Sequence, residues 1–349
     1  MTTIQDRFVL MANMLENQLE KMPNLGLIQG KMGACIFFYK LSRELKESKF
    51  EKIADDLVDT IYEDISKGLN PLDFENGLAG IAWGFHYLQE QGFMGGDIDE
   101  TLADIDDKIF QYITFSDTLG QKGIVELLGY GFYLVKRLEN SDEKLHYDKT
   151  YFFRRALIRL INKIYAFVDR NMIIFKDPSF FTLRDHLPLC LLFISEAYKL
   201  GFYNDKLDRM LILLTPVTIS ALPYNTGNKL FLLLSLLKIF KLTKDKKWEK
   251  HIQIIKDSID LKYFLKEEVQ DRNIRFFYGL SGIIFLLEEL NAFNIGDEWA
   301  SYKEILHNII VNSEYWNVIN SEIINKDLSF ITEFPCMGNS LMCNMEYWK

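Results

Sequence analysis

The amino-acid sequence predicts an all-α fold, an α/α toroid (a double-layered barrel) of about seven helical hairpins. Apolar segments headed by glycine recur at intervals of roughly fifty residues, which suits a helical hairpin repeat. Amphipathic stretches of helical period lie between them, and strand-like alternation is scarce. In such a fold the whole chain, residues 1–349, forms a single domain.

The glycine-led segments are the candidate inner helices. They share one glycine, or two glycines three residues apart, at the head of an apolar run. The pairs are Gly30 with Gly33, Gly77 with Gly80, and Gly279 with Gly282, and the single glycines are Gly129, Gly227 and Gly338. A further segment, "RDHLPLCLLF", occupies the fourth position of the repeat but has neither motif glycine. Glycine costs up to about 1 kcal/mol in a helix interior, so its recurrence indicates tight turns and close approach of neighbouring backbones.

The amphipathic stretches, which include residues 50–68, 152–170 and 299–316, are the candidate outer helices. Each places its apolar side chains on one face, whereas the glycine-led segments are apolar nearly all round. An open helical solenoid would have the same repeat. We favour closure because about seven hairpins suffice to close a ring and the glycine-led helices are apolar on both faces.

The net charge, the apolar runs and the cysteines of the chain limit the kinds of molecule it is expected to bind and the compartment it is expected to occupy. The formal net charge of −9 suggests neither a nucleic-acid nor an anionic-membrane partner. No apolar run is long enough to span a bilayer, and the start of the chain does not resemble a secretory signal, so we expect a cytoplasmic protein. The four cysteines form no CxxC pair, so neither a disulfide framework nor a zinc ribbon is indicated.

The recurring G-x-x-G motif before an apolar helix resembles the lanthionine synthetase C-like family. "GLAG" at 77–80 and "GLSG" at 279–282 are the nearest matches, and the spacing covers nearly the whole chain. The resemblance implies the α/α toroid fold. It also implies thioether formation, in which a cysteine thiol of a precursor peptide adds to dehydroalanine or dehydrobutyrine. The expected partners are therefore the precursor peptide and a dehydratase.

The sequence departs from the family where many members bind zinc through two cysteines and one histidine. Phe277 and Tyr278 stand where Cys and His are expected in the sixth repeat. The fifth repeat reads "ALPYNTGN" and has no cysteine or histidine. We therefore carry over no metal site and expect no cofactor.

Three residues match other positions of the family's machinery: Asp73, four residues before Gly77; His186, at the start of the fourth repeat; and Tyr224, in the fifth. The resemblance implies that His186 transfers the proton, since imidazole titrates near neutrality, and that Asp73 orients it. Each residue has a structural alternative. Asp73 suits a helix cap, His186 a polar helix start, and Tyr224 packing or hydrogen bonding.

The cysteines suggest little chemistry of their own. Cys35 and Cys190 lie among apolar residues, which indicates buried packing. Cys336 and Cys343 are seven residues apart on one helical face, and Cys336 adjoins a motif loop. A substitute metal site built from Cys336, His186 and Asp73 has no metal-ligand spacing to support it.

Three functions remain open at the level of sequence. The first is a thioether cyclase that works without zinc. The second is a catalytically degenerate family member that binds a precursor peptide or a partner modification enzyme. The third is another α/α-toroid enzyme, such as a glycoside hydrolase. It would need two carboxylates facing across a cleft, and nothing pairs the candidates Glu75 and Glu333.

Overall fold

The computed structural model describes residues 3–68, 70–139, 147–173, 175, 178, 181–269, 273–293, 298–319 and 333–342. These residues contain no strand and fourteen helices of nine residues or more. The helices are α1 Ile4–Glu16, α2 Lys31–Leu45, α3 Ser48–Ser66, α4 Leu78–Glu90, α5 Ala103–Phe115, α6 Ile124–Glu139, α7 Tyr147–Asp169, α8 His186–Lys199, α9 Asn204–Ser220, α10 Thr226–Thr243, α11 Lys246–Asp257, α12 Leu280–Asn291, α13 Glu298–Val311 and α14 Phe334–Met342. Within these residues, no helix is both long and apolar enough to cross a membrane.

Each of the seven glycine-led segments forms a helix, and these are the even-numbered helices α2 to α14. The odd-numbered helices alternate with them. The two kinds differ in burial as their patterns predict: ten of the fifteen residues of α2 are buried, but only five of the nineteen in α3. The predicted all-α fold of about seven helical hairpins is confirmed.

The chain divides into two compact units, and each is discontinuous in sequence. Unit 1 comprises Met1–Pro71, Glu75–Met94 and Leu261–Lys349, and unit 2 comprises Leu72–Phe74 and Gly95–Asp260. The expectation of one domain over the whole chain stays a prediction.

In unit 1 the two ends of the chain meet. Helix α14 packs on α2 and α12, and α1 packs on both α2 and α14. The Arg7 guanidinium donates from Nε to the carbonyl oxygen of Val311 at 3.0 Å and lies over the ring of Trp316. The first and last repeats therefore contact each other within unit 1.

In unit 2, α6 packs on α7 and α8, and α8 packs on α10. A buried ionic network joins α6 to the preceding amphipathic helix. Arg137 of α6 donates to both carboxylate oxygens of Asp106 in α5, at 3.2 and 2.7 Å, and also pairs with Asp99. The hydroxyl of Tyr133 donates to Asp106 as well. Burying these charges is tolerated because each is paired and hydrogen-bonded.

The paired glycines make room at the helix starts. In α2, α4 and α12 the first glycine is the N-cap residue, with an extended backbone that any residue could adopt. Space is the constraint: a Cβ on Gly30 would lie 2.4 Å from the backbone nitrogen of Gly26, and one on Gly279 would lie 2.5 Å from the carbonyl oxygen of Arg275. The loop before each helix therefore folds back directly against its N-cap.

The same loop hydrogen bond recurs at these three helices. The N–H of the first helical residue donates to the carbonyl seven residues earlier, at 2.8 to 3.0 Å. The pairs are Lys31 to Asn24, Leu78 to Pro71, and Leu280 to Asn273. Each bond satisfies one of the N–H groups that a helix start leaves without a partner inside the helix.

Candidate functional site

The loops before neighbouring glycine-led helices contact one another within unit 1. The N–H of Ile28 donates to the carbonyl of Glu75 at 3.1 Å, and the thiol of Cys336 donates to the carbonyl of Ile28 at 3.0 Å. Arg275 Nε donates to Glu333 Oε1 at 3.1 Å. These contacts link the loop before α12 to the start of α14, and link α14 in turn to the loops before α2 and α4. Within this unit, the loops before the glycine-led helices therefore lie together.

Residues of unit 2 make similar contacts between loops and helix starts. Phe74 lies against Gly129 near the start of α6, and its ring is 6.5 Å from that of Phe132. The side-chain amides of Asn225 and Asn228, at the start of α10, donate to the carbonyl of Pro178 at 3.0 and 2.9 Å. In this unit too, the loop before one glycine-led helix contacts the start of the next helix of that kind.

Asp73 lies half-buried in the loop before α4. The N-cap of that helix is Gly77, so the interpretation of Asp73 as the N-cap residue is wrong. Its charge acts instead on the phenol of Tyr130 in α6. Burial raises the pKa of Tyr130 well above its ordinary value, and the nearby acidic groups, first Glu126 and then Asp73 among them, raise it further.

Tyr130 belongs to a polar cluster that sequence reasoning missed. Its hydroxyl donates to Glu126 Oε1 at 3.4 Å, and Glu126 pairs with Lys122 at 2.8 Å. The sequence could have pointed to Tyr130 by its position, because it directly follows the motif glycine Gly129. Within an apolar helix a tyrosine is ordinarily assigned to packing, so the polar partners of its hydroxyl were not expected.

His186 and Tyr224 also stand at the heads of glycine-led helices. His186 is the first residue of α8, follows the N-cap Asp185, and is half-buried. Tyr224 directly precedes Asn225, the N-cap of α10, and is 78% exposed. Both residues, together with Asp73, belong to unit 2. The orientation of His186 by Asp73 stays a prediction.

The described thiols are poor nucleophiles at neutral pH. Burial raises the pKa of Cys190 to about 12. Burial and the charge of Glu333 raise the pKa of Cys336 to about 12. Cys35 is fully buried, and its pKa is raised still further for the same reason. Because the thiolate is the reactive form, these three cysteines serve packing and hydrogen bonding. Cys343 lies outside the described residues.

The residues at the expected zinc positions do not fit the metal. Phe277 is buried and Tyr278 is exposed, and neither carries a ligand atom that zinc prefers. In the part of the chain that the structure describes, no group of three or more His, Cys, Asp or Glu side chains is placed to hold a metal ion.

The family model described as lanthionine synthetase C-like protein matches residues 21–171. Over this span, somewhat less than half of its length, the chain is similar to the lanthionine synthetase C-like family. A comparison with curated proteins gives no match. The matched span holds helices α2 to α7 and Asp73. His186, Tyr224 and the repeats that depart from the zinc motifs follow after it.

Proposed function

We propose that this protein forms thioether rings in a precursor peptide without zinc at the family position. One observation carries the proposal: Asp73, His186 and Tyr224 all fall within unit 2, each just before or at the start of a glycine-led helix. The similarity of residues 21–171 to the lanthionine synthetase C-like family supports this reaction class.

The reaction needs proton transfer and no redox partner. The peptide thiol loses its proton, its sulfur forms a C–S bond to the β-carbon of dehydroalanine, and the C=C π bond is consumed. A proton then adds to the α-carbon, so product and substrate have the same mass. A free thiol has a pKa of about 8.5, so a base near neutrality raises the thiolate fraction usefully.

His186 is the base in this proposal, because imidazole accepts a proton at neutral pH and can return it to the enolate. His186 is half-buried at the start of α8, so the residue is partly accessible. Asp73 orients His186, and Tyr224 offers an exposed phenol to the substrate. The phenol of Tyr130, whose pKa is raised, stays protonated near Asp73 and donates a hydrogen bond.

A second function is favoured by a specific observation. Phe277 and Tyr278 replace two zinc ligands with an apolar side chain and an exposed phenol. Aromatic side chains are enriched where proteins bind peptides. In this alternative the protein is a degenerate member that holds a precursor peptide or a partner modification enzyme and performs no chemistry.

The test uses a synthetic peptide with one dehydroalanine and one cysteine several residues apart. Ring formation leaves the mass unchanged but removes the thiol that iodoacetamide alkylates, so mass spectrometry after alkylation reports cyclisation. We expect His186→Ala to slow cyclisation by about 100-fold or more, the usual contribution of general acid–base catalysis, without weakening peptide binding.

Lys199→Ala provides the matched control, because Lys199 is exposed at the opposite end of α8 and pairs with Glu196. It should cyclise the peptide at the native rate. If the native protein binds the peptide but leaves its thiol alkylatable, the cyclase proposal fails and the binding function stands.

A further inference from the structure

A cluster of aromatic rings lies exposed on the amphipathic helices of unit 2. Phe115 at the end of α5 is 72% exposed, and Tyr151 and Phe152 near the start of α7 are also exposed. Phe110 connects them, with ring centroids 6.3 Å from Phe115 and 5.2 Å from Phe152. Contiguous exposed apolar surface of this kind marks interaction sites more often than isolated exposed residues do.

A cleft of about 640 Å³ adjoins this cluster. Thr114 and Phe115 of α5 line one side, and α7 lines the other with three cations, Arg155, Arg159 and Lys163. The cations are four residues apart, so they stand on successive turns about 6 Å apart along the helix. We call the aromatic cluster and this cationic row together the α5–α7 face.

The three cations are not neutralised within the described structure. None of Arg155, Arg159 and Lys163 forms an ion pair with a described acidic side chain. Other cations of unit 2, such as Lys122 and Arg137, do pair with carboxylates. The chain carries a net charge of −9, so a row of three positive charges that no described carboxylate pairs is a local exception. A row of this kind attracts an anionic ligand.

We propose that the α5–α7 face binds an acidic peptide helix that also presents an apolar side chain. Carboxylates four residues apart on a helix repeat at about 6 Å, which matches the spacing of the cationic row. The guanidinium groups of Arg155 and Arg159 can each bind a carboxylate in bidentate fashion. The rings of Phe115 and Phe152 supply the apolar contact, and aromatic residues with arginine are typical of binding hot spots.

The net charge of the whole chain favours a peptide over a nucleic acid. A duplex would meet the negative field of the protein beyond the cationic row, whereas a short acidic helix covers the row alone. The proposal concerns binding at a surface built from α5 and α7, so it does not depend on thioether formation or on His186.

The test is fluorescence anisotropy of a labelled helical peptide that has glutamate at three positions four residues apart and leucine on the adjoining face. Against the full-length protein, we expect R155Q/R159Q/K163Q to weaken binding by about tenfold or more, since charge-assisted hydrogen bonds are lost. Phe115→Ala should weaken it by about threefold through lost apolar contact. Raising sodium chloride from about 50 to 500 mM should also weaken binding, because salt screens exposed charges.

A second triple variant controls for net charge. K246Q/K247Q/K250Q removes three exposed lysines of α11, which stand outside the cleft, and should change the affinity by less than about twofold. The proposal is overturned if the native protein does not bind the peptide, or if both triple variants weaken binding equally. It is also overturned if the glutamine version of the peptide binds as well, or if duplex DNA binds more tightly than the peptide.

Discussion

At the scale of single residues, burial decides the ionisation of several groups that the sequence left open. His307 on α13 is 7% exposed, and burial lowers its pKa to about 4 from an ordinary value of 6.5. Burial acts in the same direction on His251 of α11. Sequence reasoning found no role for either histidine, because helical periodicity gives the face of a residue but not the degree of its desolvation.

The lowered pKa of His307 makes a prediction about stability in acid. The unfolded chain binds a proton below about pH 6.5, whereas the folded chain resists it down to about pH 4. The stabilisation by neutral His307 is therefore complete above pH 6.5 and is lost as the pH falls towards 4. The free energy of unfolding lost in this way is at most about 3 kcal/mol, which is the equivalent of the shift in the pKa of His307.

We expect His307→Gln to lose less stability than the native protein between pH 7 and pH 4.5. The free energy of unfolding by urea at the two pH values measures the effect. Asn308→Ala, at the exposed neighbouring position, should keep the native pH dependence. An unchanged pH dependence in His307→Gln would show that other groups cause the loss.

The residue scale also shows the limit of motif matching. The sequence placed Asp73 four residues before Gly77, which was compatible with a cap or with a functional carboxylate. The helix starts at Leu78, which excludes Asp73 as its N-cap residue. Folding also brings Asp73 close enough to act on the pKa of Tyr130, which lies 57 positions further along the sequence. Long-range contacts of this kind leave no local pattern.

At the scale of elements, the seven glycine-led helices could be predicted because burial imposes a repeating apolar pattern. The fourth segment tested this most severely, since it lacks both motif glycines. It still forms α8, and Pro188 is tolerated at the third position of the helix. There the missing N–H would have no partner inside the helix in any case. The pattern did not predict which side chain of a neighbouring helix packs against each glycine.

Gly338 of α14 offers a direct test of that role. A Cβ at this position would lie 2.2 Å from a ring carbon of Phe37, which is fully buried in α2. We expect Gly338→Ala to lower the free energy of unfolding by about 1–2 kcal/mol, because the overpacking cost exceeds the helix propensity that alanine gains. The change in the urea midpoint measures this effect.

Two further variants distinguish overpacking from a general effect of removing glycine. Gly95→Ala, where a Cβ would meet nothing within 4 Å, should leave stability nearly unchanged. Adding Phe37→Leu to Gly338→Ala should recover part of the loss, since the smaller side chain makes room for the methyl group. If Gly338→Ala matches Gly95→Ala, the contact between α2 and α14 does not require glycine.

At the scale of the whole molecule, the division into units follows contacts that join distant parts of the chain. Unit 1 takes α1 to α4 from the beginning of the sequence and α12 to α14 from its end. The family match over residues 21–171 begins in unit 1 and ends within unit 2, so sequence similarity does not follow the compact units. Neither periodicity nor a motif could have located their boundaries.

This discontinuity predicts how fragments of the chain behave. Residues 1–94 contain α1 to α4 but lack α14, which packs on α1 and α2. Residues 95–260 lack only Leu72–Phe74 of unit 2. We therefore expect the 95–260 fragment to be helical and to unfold cooperatively on its own, with circular dichroism following a single thermal transition. The 1–94 fragment should give no cooperative transition, because the apolar surface of α2 that α14 covers is exposed to water.

Mixing the fragments tests whether the two ends of the chain stabilise each other. Adding the 261–349 fragment to 1–94 should restore helical signal and a cooperative transition, since it returns α14 to α2 and the carbonyl of Val311 to Arg7. The same fragment carrying Gly338→Ala should restore less, because its helix cannot approach Phe37 as closely. If 1–94 folds cooperatively alone, contact between the two ends of the chain is not what stabilises unit 1.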